Sequence, residues 1–410
     1  MKYVIIGNSA AAVGAVEAIR KLDTEGSITL ISSEAYHTYS RPLISYLLQG
    51  RTDEQRMKYR GDDFYEKNSV EAMLNTTVSA IDPRKKEVST ADGKTIPYDK
   101  LLVATGSKPF VPPMSGLEDV PDRFTFMSLD DAHALEQALG PQARVLIIGA
   151  GLIGLKCAEG IADKVGSITV VDLADRILPS ILDEAGSAMM QSHIESHGIA
   201  FRLSDSVKAF TPDTATLQSG EVIGFDILVI AVGVRPNTEL VKEAGGEVRR
   251  GIVTDLHCAT TLPDVWAAGD CTESLDITTG QERILALLPN AYMQGECAGI
   301  NMAGGEKLYD HAIPMNAIGF FDLHIITAGS YMGVSTVTEG EATYKRLVVD
   351  DNRLVGYILI GAVERAGIYT SLIRNKTPLD TIDFELIKEK PQLMAFSKVE
   401  RLRQLGGIKQ

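Results

Sequence analysis

Short apolar runs of strand length recur along this chain in two matched sets. In the first, Val4-Ile5-Ile6 leads into Gly7-Asn8-Ser9-Ala10-Ala11-Ala12; in the second, Val145-Leu146-Ile147-Ile148 leads into Gly149-Ala150-Gly151-Leu152-Ile153-Gly154. An unbroken apolar run that ends in glycine and small residues predicts a buried strand turning sharply into a helix. Each set also has an echo, Tyr98-Asp99-Lys100-Leu101-Leu102-Val103-Ala104-Thr105-Gly106 against Phe225-Asp226-Ile227-Leu228-Val229-Ile230-Ala231-Val232-Gly233. One folding unit therefore occurs twice. Val265-Trp266-Ala267-Ala268 reads as a further strand ending at Gly269-Asp270, and Leu288-Pro289-Asn290-Ala291 opens a helix. Past residue 311 the pattern changes to alternation. Tyr344 to Val349 and Leu354 to Leu359 predict an antiparallel hairpin around Asp350-Asp351-Asn352, followed by helices and a charged, solvated terminal helix over Leu386 to Leu405.

The second fingerprint has all three glycines of a dinucleotide loop. Gly149 permits the turn, Gly151 lets backbone approach a pyrophosphate, and Gly154 lets the helix pack closely. The next strand, Ile168 to Val171, ends at Asp172, whose carboxylate suits ribose hydroxyls and repels a 2'-phosphate, favouring NAD over NADP. Arg176, four positions on, complicates that preference. The first fingerprint keeps only Gly7, with the small residues Ser9 and Ala12 in the other two places. Its strand Ile28 to Ile31 ends at Ser32-Ser33-Glu34, where Glu34 is the better ribose acceptor and a solvated loop acid the plainer alternative. Two units imply two dinucleotides held at once, and the useful chemistry between them is electron transfer.

Composition narrows this further. With 410 residues and 45% hydrophobic content the chain can form several cored domains. The first strand starts almost at Met1 and no uncharged apolar stretch is long enough to span a bilayer, so a cytoplasmic protein is expected. A net charge of -14 disfavours nucleic acid and anionic membranes as partners. Cys157, Cys258, Cys271 and Cys297 are too scattered for a zinc or iron-sulfur site, so no metal is expected.

The order of fingerprint, Ala104-Thr105-Gly106, second fingerprint, Ala231-Val232-Gly233 and Val265-Trp266-Ala267-Ala268-Gly269-Asp270 resembles the pyridine nucleotide-disulfide oxidoreductase superfamily. Tyr39-Ser40-Arg41-Pro42-Leu43-Ile44-Ser45-Tyr46 is similar to the branch of rubredoxin and ferredoxin reductases and nitrite-reductase flavoproteins, and the chain also looks like reductases associated with carbon monoxide dehydrogenase. The resemblance implies an α/β fold of two Rossmann-like dinucleotide-binding domains plus a C-terminal α+β domain. The NAD domain (111–235) would be inserted in an FAD domain (1–110 and 236–310), followed by 311–410. Pro109, Pro112 and Pro113 mark one crossing and Arg235-Pro236-Asn237 the other.

By the same resemblance, Gly7, Ser9, Ala10 and Ala11 would cradle the FAD pyrophosphate, and Ser33 and Glu34 the adenosine ribose. Arg41, beside Pro42, would neutralise the phosphates, and Val78 would meet adenine through its backbone. Ala104, Thr105 and Gly106 would pass near the nucleotide portion of the flavin, and Asp270, after Gly269, would accept from a ribityl hydroxyl. The helix opened by Pro289 and Asn290 would face the flavin with its positive end. Gly149, Gly151, Ile153, Gly154, Asp172 and Gly233 would hold NAD.

Disulfide reductases of this superfamily carry cysteines on the helix after the first ribose acid. No cysteine lies between Met1 and Gly154 here, so no thiol relays electrons. The acceptor is then met directly at the flavin or lies on another protein. With no rubredoxin, haem or iron-sulfur segment after the C-terminal domain, it is expected in trans. Relatives often have glutamate where this chain has Lys156, balanced by lysine where it has Tyr46. Lys156 reads either as a cation beside the flavin and nicotinamide or as a solvated helix-surface lysine paired with Glu159.

The leading expectation is an FAD-dependent NADH oxidoreductase serving a soluble iron-sulfur or iron carrier of ferredoxin or rubredoxin type, possibly as a homodimer. The alternatives are a reductase of a small acceptor such as oxygen or a quinone, and a non-enzymatic NADH-sensing flavoprotein.

Overall fold

A computed structural model describes residues 1–404. The chain forms two compact units: Met1–Asp175 with Gly198–Leu275 and Glu282–Ala312, and Arg176–His197 with Asp276–Gln281 and everything from Ile313 onward.

The first unit contains two parallel five-stranded sheets built to one plan. In the first sheet the strand order is Val265–Ala267, Lys100–Val103, Lys2–Ile6, Ser27–Ile31, Val70–Met73. In the second it is Arg123–Phe124, Ile227–Ile230, Arg144–Ile148, Ser167–Val171, Ile199–Arg202. Each fingerprint strand thus runs between its acid-bearing neighbour and its echo strand. The central strands are buried on both faces, which is why they read as unbroken Val, Ile and Leu rather than as alternation.

The repeat extends further than the apolar runs reveal. A three-stranded antiparallel meander over Val78–Asp82, Glu87–Thr90 and Thr95–Pro97 is matched by Val207–Phe210, Thr214–Leu217 and Val222–Gly224. Both meanders have a register shift in the first strand, between Val78 and Ala80 and between Val207 and Ala209. The two chain crossings pair with each other, Ser107–Pro109 running antiparallel to Val234–Pro236.

The second unit is an antiparallel five-stranded sheet ordered Met315–Phe320, Leu323–Gly329, Arg353–Ile360, Thr343–Asp350, Val334–Gly340. The expected hairpin turns at Asp351 and Asn352, whose φ values of 44° and 57° give the left-handed turn that matches strand twist. The helix Ala366–Arg374 packs on the sheet through Ala366, Tyr369, Leu372 and Ile373. The segment 176–197, placed by sequence inside 111–235, packs within this unit: Asp183 accepts from the Tyr344 hydroxyl at 2.6 Å and from Arg346 at 2.9 Å.

The expected terminal helix is corrected. Over that stretch the chain forms Phe384–Glu389, a 3-10 turn at Leu393–Ala395 and Lys398–Gln404, while Leu405 lies outside the described residues. Pro391 breaks the helix, because proline removes an N–H and restricts the residue before it. No helix among the described residues is long and apolar enough to cross a membrane.

Candidate functional site

Gly7 and Gly149 end their strands at φ values of 124° and 114°, a region open to glycine. Space is equally restrictive: a Cβ on Gly7 would stand 2.1 Å from the Ala104 carbonyl oxygen, and one on Gly149 2.3 Å from that of Ala231. The small residues that end each echo therefore press on the turn that ends each fingerprint strand. Gly154 is closed as well, since a Cβ there would stand 2.0 Å from the Gly149 carbonyl oxygen, whereas Gly151, Gly106 and Gly233 face open space.

The helices Ala10–Leu22, Leu152–Ile161 and Leu288–Met302 start at Ser9, Gly151 and Leu287 with no side-chain cap. Elsewhere in the chain Leu129–Ala138 is closed by a Ser128 and Asp131 capping box and Glu184–Glu195 by Asp183. Such a cap is worth about 1 kcal/mol. Uncapped first turns leave N–H groups for an anion or an electron-rich ring. Ala10 and Ala11 lie in the first of these turns, Ile153 in the second, and Pro289 and Asn290 in the third.

The two ribose acids behave differently. Asp172 accepts from the backbone N–H of Ala150 at 2.6 Å and of Ala174 at 2.8 Å, so it fixes the fingerprint loop and holds Leu173 outward, 75% exposed. Glu34 ion-pairs with Arg41 and accepts from the Tyr39 hydroxyl at 2.7 Å. Tyr39 in turn accepts from Arg41 at 3.2 Å and from the Leu129 N–H at 3.0 Å. Burial works against the Arg41 charge, but Tyr39, Glu34 and Asp270 outweigh it and push its pKa up. Ser33 and Pro42 are exposed beside this pair, and Val78 is buried at the start of its meander.

Asp270 follows Gly269, at φ 86°, beyond the strand Val265–Ala267. Among the described residues its carboxylate keeps one hydrogen bond, from the Ser107 hydroxyl at 3.4 Å. Burial pushes its pKa up, against the pull of Ser107 and Arg41. A desolvated carboxylate with acceptor capacity to spare fits a polyol hydroxyl. The helix start, the closed Gly7 turn and Asp270 together fit a dinucleotide carrying a ribityl chain.

Lys156 is buried, and the solvated reading of it is set aside. Its ammonium ion-pairs with Glu159, as the i+3 spacing predicts, and lies 4.5 Å from the centroid of the Tyr46 ring.

Several positioning residues escape sequence reasoning. Gln294 accepts from the Gly269 N–H at 2.8 Å and holds the Asp270 turn. It lies four residues after Asn290, so helical period places both on one face. Asn237 donates to the Thr105 carbonyl at 2.9 Å, and the Thr105 hydroxyl donates to the Asn237 carbonyl at 2.8 Å, tying the two crossings together. Tyr39 and Ser107 give no pattern beyond their places beside Arg41 and Gly106. All four cysteines are buried free thiols, and burial pushes the Cys271 pKa up to about 11.

Residues 1–295 match the pyridine nucleotide-disulphide oxidoreductase family, and residues 314–377 match the rubredoxin NAD+ reductase C-terminal domain. The chain is 32% identical over 395 residues to NADH-dependent phenylglyoxylate dehydrogenase subunit epsilon of Aromatoleum evansii, covering 92% of each. It is 29% identical to nitrite reductase [NAD(P)H] of Bacillus subtilis over 92% of this chain, and spans 48% of that protein's length. Among solved structures, putidaredoxin reductase in its covalent complex with putidaredoxin has a TM-score of 0.87 at 22% identity, covering 95% of this chain and 96% of the other.

Proposed function

Because the chain belongs to the pyridine nucleotide-disulphide oxidoreductase family, we propose that it moves electrons between NADH and a separate iron-sulfur or iron carrier protein through bound FAD. The observation that carries this reading is the doubled unit, with two closed glycine turns each opening into an uncapped helix. Bound FAD supplies the conversion between an electron pair carried as hydride and electrons released singly.

In this reading residues 1–110 and 236–310 hold FAD, residues 111–235 hold NAD, and residues 311–410 form the interface domain, where a homodimer would meet. The backbone N–H groups at Ser9, Ala10 and Ala11 bind the FAD pyrophosphate beside Gly7, and Glu34 orients the ribose with Ser33. Arg41, next to Pro42, turns part of its charge to phosphate, and the Val78 backbone meets adenine. Ala104, Thr105 and Gly106 line the flavin side with Gly269, Asp270, Pro289 and Asn290. On the other side Gly149, Gly151, Ile153, Gly154 and Gly233 hold the NAD pyrophosphate and Asp172 the ribose. Lys156 orients the nicotinamide and stabilises negative charge. The site acts in the cytoplasm.

A protein carrier as acceptor is supported by the C-terminal match to rubredoxin NAD+ reductase and by the lack of any cysteine between Met1 and Gly154. Steady-state assays with rubredoxin, ferredoxin, a quinone and oxygen test it. A carrier protein should turn over fastest; quinone or oxygen outpacing every carrier would contradict the proposal.

A further inference from the structure

The short helix Ile44–Leu48 and the second fingerprint helix Leu152–Ile161 meet along a close seam. A Cβ on Gly160 would come 3.1 Å from the Ser45 carbonyl oxygen. Beside that contact, Gln49 donates to the Glu159 backbone carbonyl at 3.2 Å, and the Lys156 ammonium sits over the Tyr46 ring. The ion pair between Lys156 and Glu159 is inside the seam, with side-chain exposures of 11% and 3%. Taking two charges out of water costs several kcal/mol per ion, so stability alone is a poor account of such a pair. Its geometry is specific: the carboxylate draws the ammonium along its own helix while the negative face of Tyr46 draws it across the seam.

We propose that Glu159 is a positioning residue for Lys156, holding its ammonium over Tyr46 and offsetting its charge, and that it thereby sets the flavin midpoint potential. The inference rests on the reading that Lys156 lies beside the flavin. In a site of low dielectric an offset ammonium and a released one differ strongly in the field they exert on a nearby ring. Removing the carboxylate then favours the more negative, reduced form of the flavin. Removing the ammonium does the opposite. Glu159 acts through Lys156, so the two effects are not additive: once Lys156 is replaced, there is no ammonium over Tyr46 left for the carboxylate to hold or offset.

Potentiometric titration of the FAD-loaded protein tests this with Glu159→Gln and Lys156→Met, alone and combined. Lys156→Met should lower the midpoint and Glu159→Gln should raise it. In the Lys156→Met background Glu159→Gln should move it little, and Glu159→Asp, which keeps the charge, should stay near the parent value. Glu159→Leu makes the same test if Glu159→Gln does not fold. Equal shifts from Glu159→Gln in both backgrounds would overturn the proposal, because the carboxylate would then act without Lys156. So would a shift with Lys156→Met and none with either Glu159→Gln or Glu159→Leu. A midpoint unmoved by Lys156→Met would remove the placement of Lys156 beside the flavin, and this inference with it.

Discussion

Aligned strand by strand, the two fingerprint units are pinned by the same bonds at both ends of the central strand and differ in what lies beyond it. Asp99 accepts from the Lys2 N–H at 2.7 Å and Asp226 from the Arg144 N–H at 2.8 Å, each clamping the start of a central strand. At the far end Gly7 donates to Ile31 and Gly149 to Val171, both at 2.8 Å. The ligand-facing parts diverge. The first helix is locked against Leu288–Met302 at small residues, where a Cβ on Gly295 would lie 1.9 Å from the Ala11 carbonyl and one on Gly299 2.6 Å from that of Ala15. The second leans on the short helix Ile44–Leu48, which follows the Arg41 segment. In the first unit the acid is held by Arg41 and Tyr39; in the second it braces its own loop through Ala150. The scaffold is duplicated while the ends beyond it are packed differently.

The strongest way to break this comparison is at the turns. Gly7→Ala combines a φ that disfavours side chains with a Cβ 2.1 Å from the Ala104 carbonyl oxygen and should cost about 3 kcal/mol, with FAD content per chain falling to near zero by absorbance. Gly149→Ala should keep FAD and lose more than about 100-fold in kcat/KM for NADH. Loss of FAD in both would mean the halves are not separable. A subtler pair is Gly154→Ala, expected to cost about tenfold in kcat/KM for NADH, and Ala12→Gly, expected to cost about 0.5–1 kcal/mol of thermal stability with NADH use unchanged.

Asp172→Asn should raise KM for both nucleotides about tenfold, roughly 1.4 kcal/mol, because it loosens the Ala150 loop, and should narrow the preference for NADH over NADPH. Equal use of both nucleotides by the unaltered protein would refute the role given to Asp172.

The smallest effect is on the apoprotein. Burial raises the Asp270 pKa in the folded state, so its ionised form opposes folding above that pKa and the penalty disappears below the ordinary carboxylate value. Asp270→Asn should therefore raise the Tm of FAD-free protein at neutral pH, with the gain fading as pH falls through the raised pKa and gone below roughly 4, while FAD affinity falls. A Tm gain that persists undiminished in acid would assign the effect to something other than this carboxyl.

How much of this could be read in the chain follows from where its physics is local. Strands buried on both faces announce themselves as unbroken apolar runs, so the doubled unit is legible while the order of strands within each sheet is not. Asp99 and Asp226 are visible as part of the echo, but their clamping bonds reach across to a strand remote in sequence. The meanders are too short and mixed to signal their match, although Val78-Ser79-Ala80-Ile81 and Val207-Lys208-Ala209-Phe210 share a pattern. The strand Val334–Gly340 is exposed throughout and rich in polar residues; it exists because Thr343–Asp350 offers it a partner. Burial of Lys156 needs Tyr46 from another helix, which helical periodicity alone does not supply. The ligand end is legible as residue types and illegible as contacts, since the pairing of Glu34 with Arg41 and the bond from the Ala150 N–H to Asp172 leave no pattern in the sequence.

Anaerobic titration of the purified protein with NADH, followed by flavin absorbance, tests the central claim most directly. One FAD per chain, bleached by one equivalent of NADH and recoloured by an oxidised iron-sulfur carrier, is the predicted result. A colourless protein that cannot be reconstituted with FAD, or a yellow one that NADH does not bleach, would contradict it.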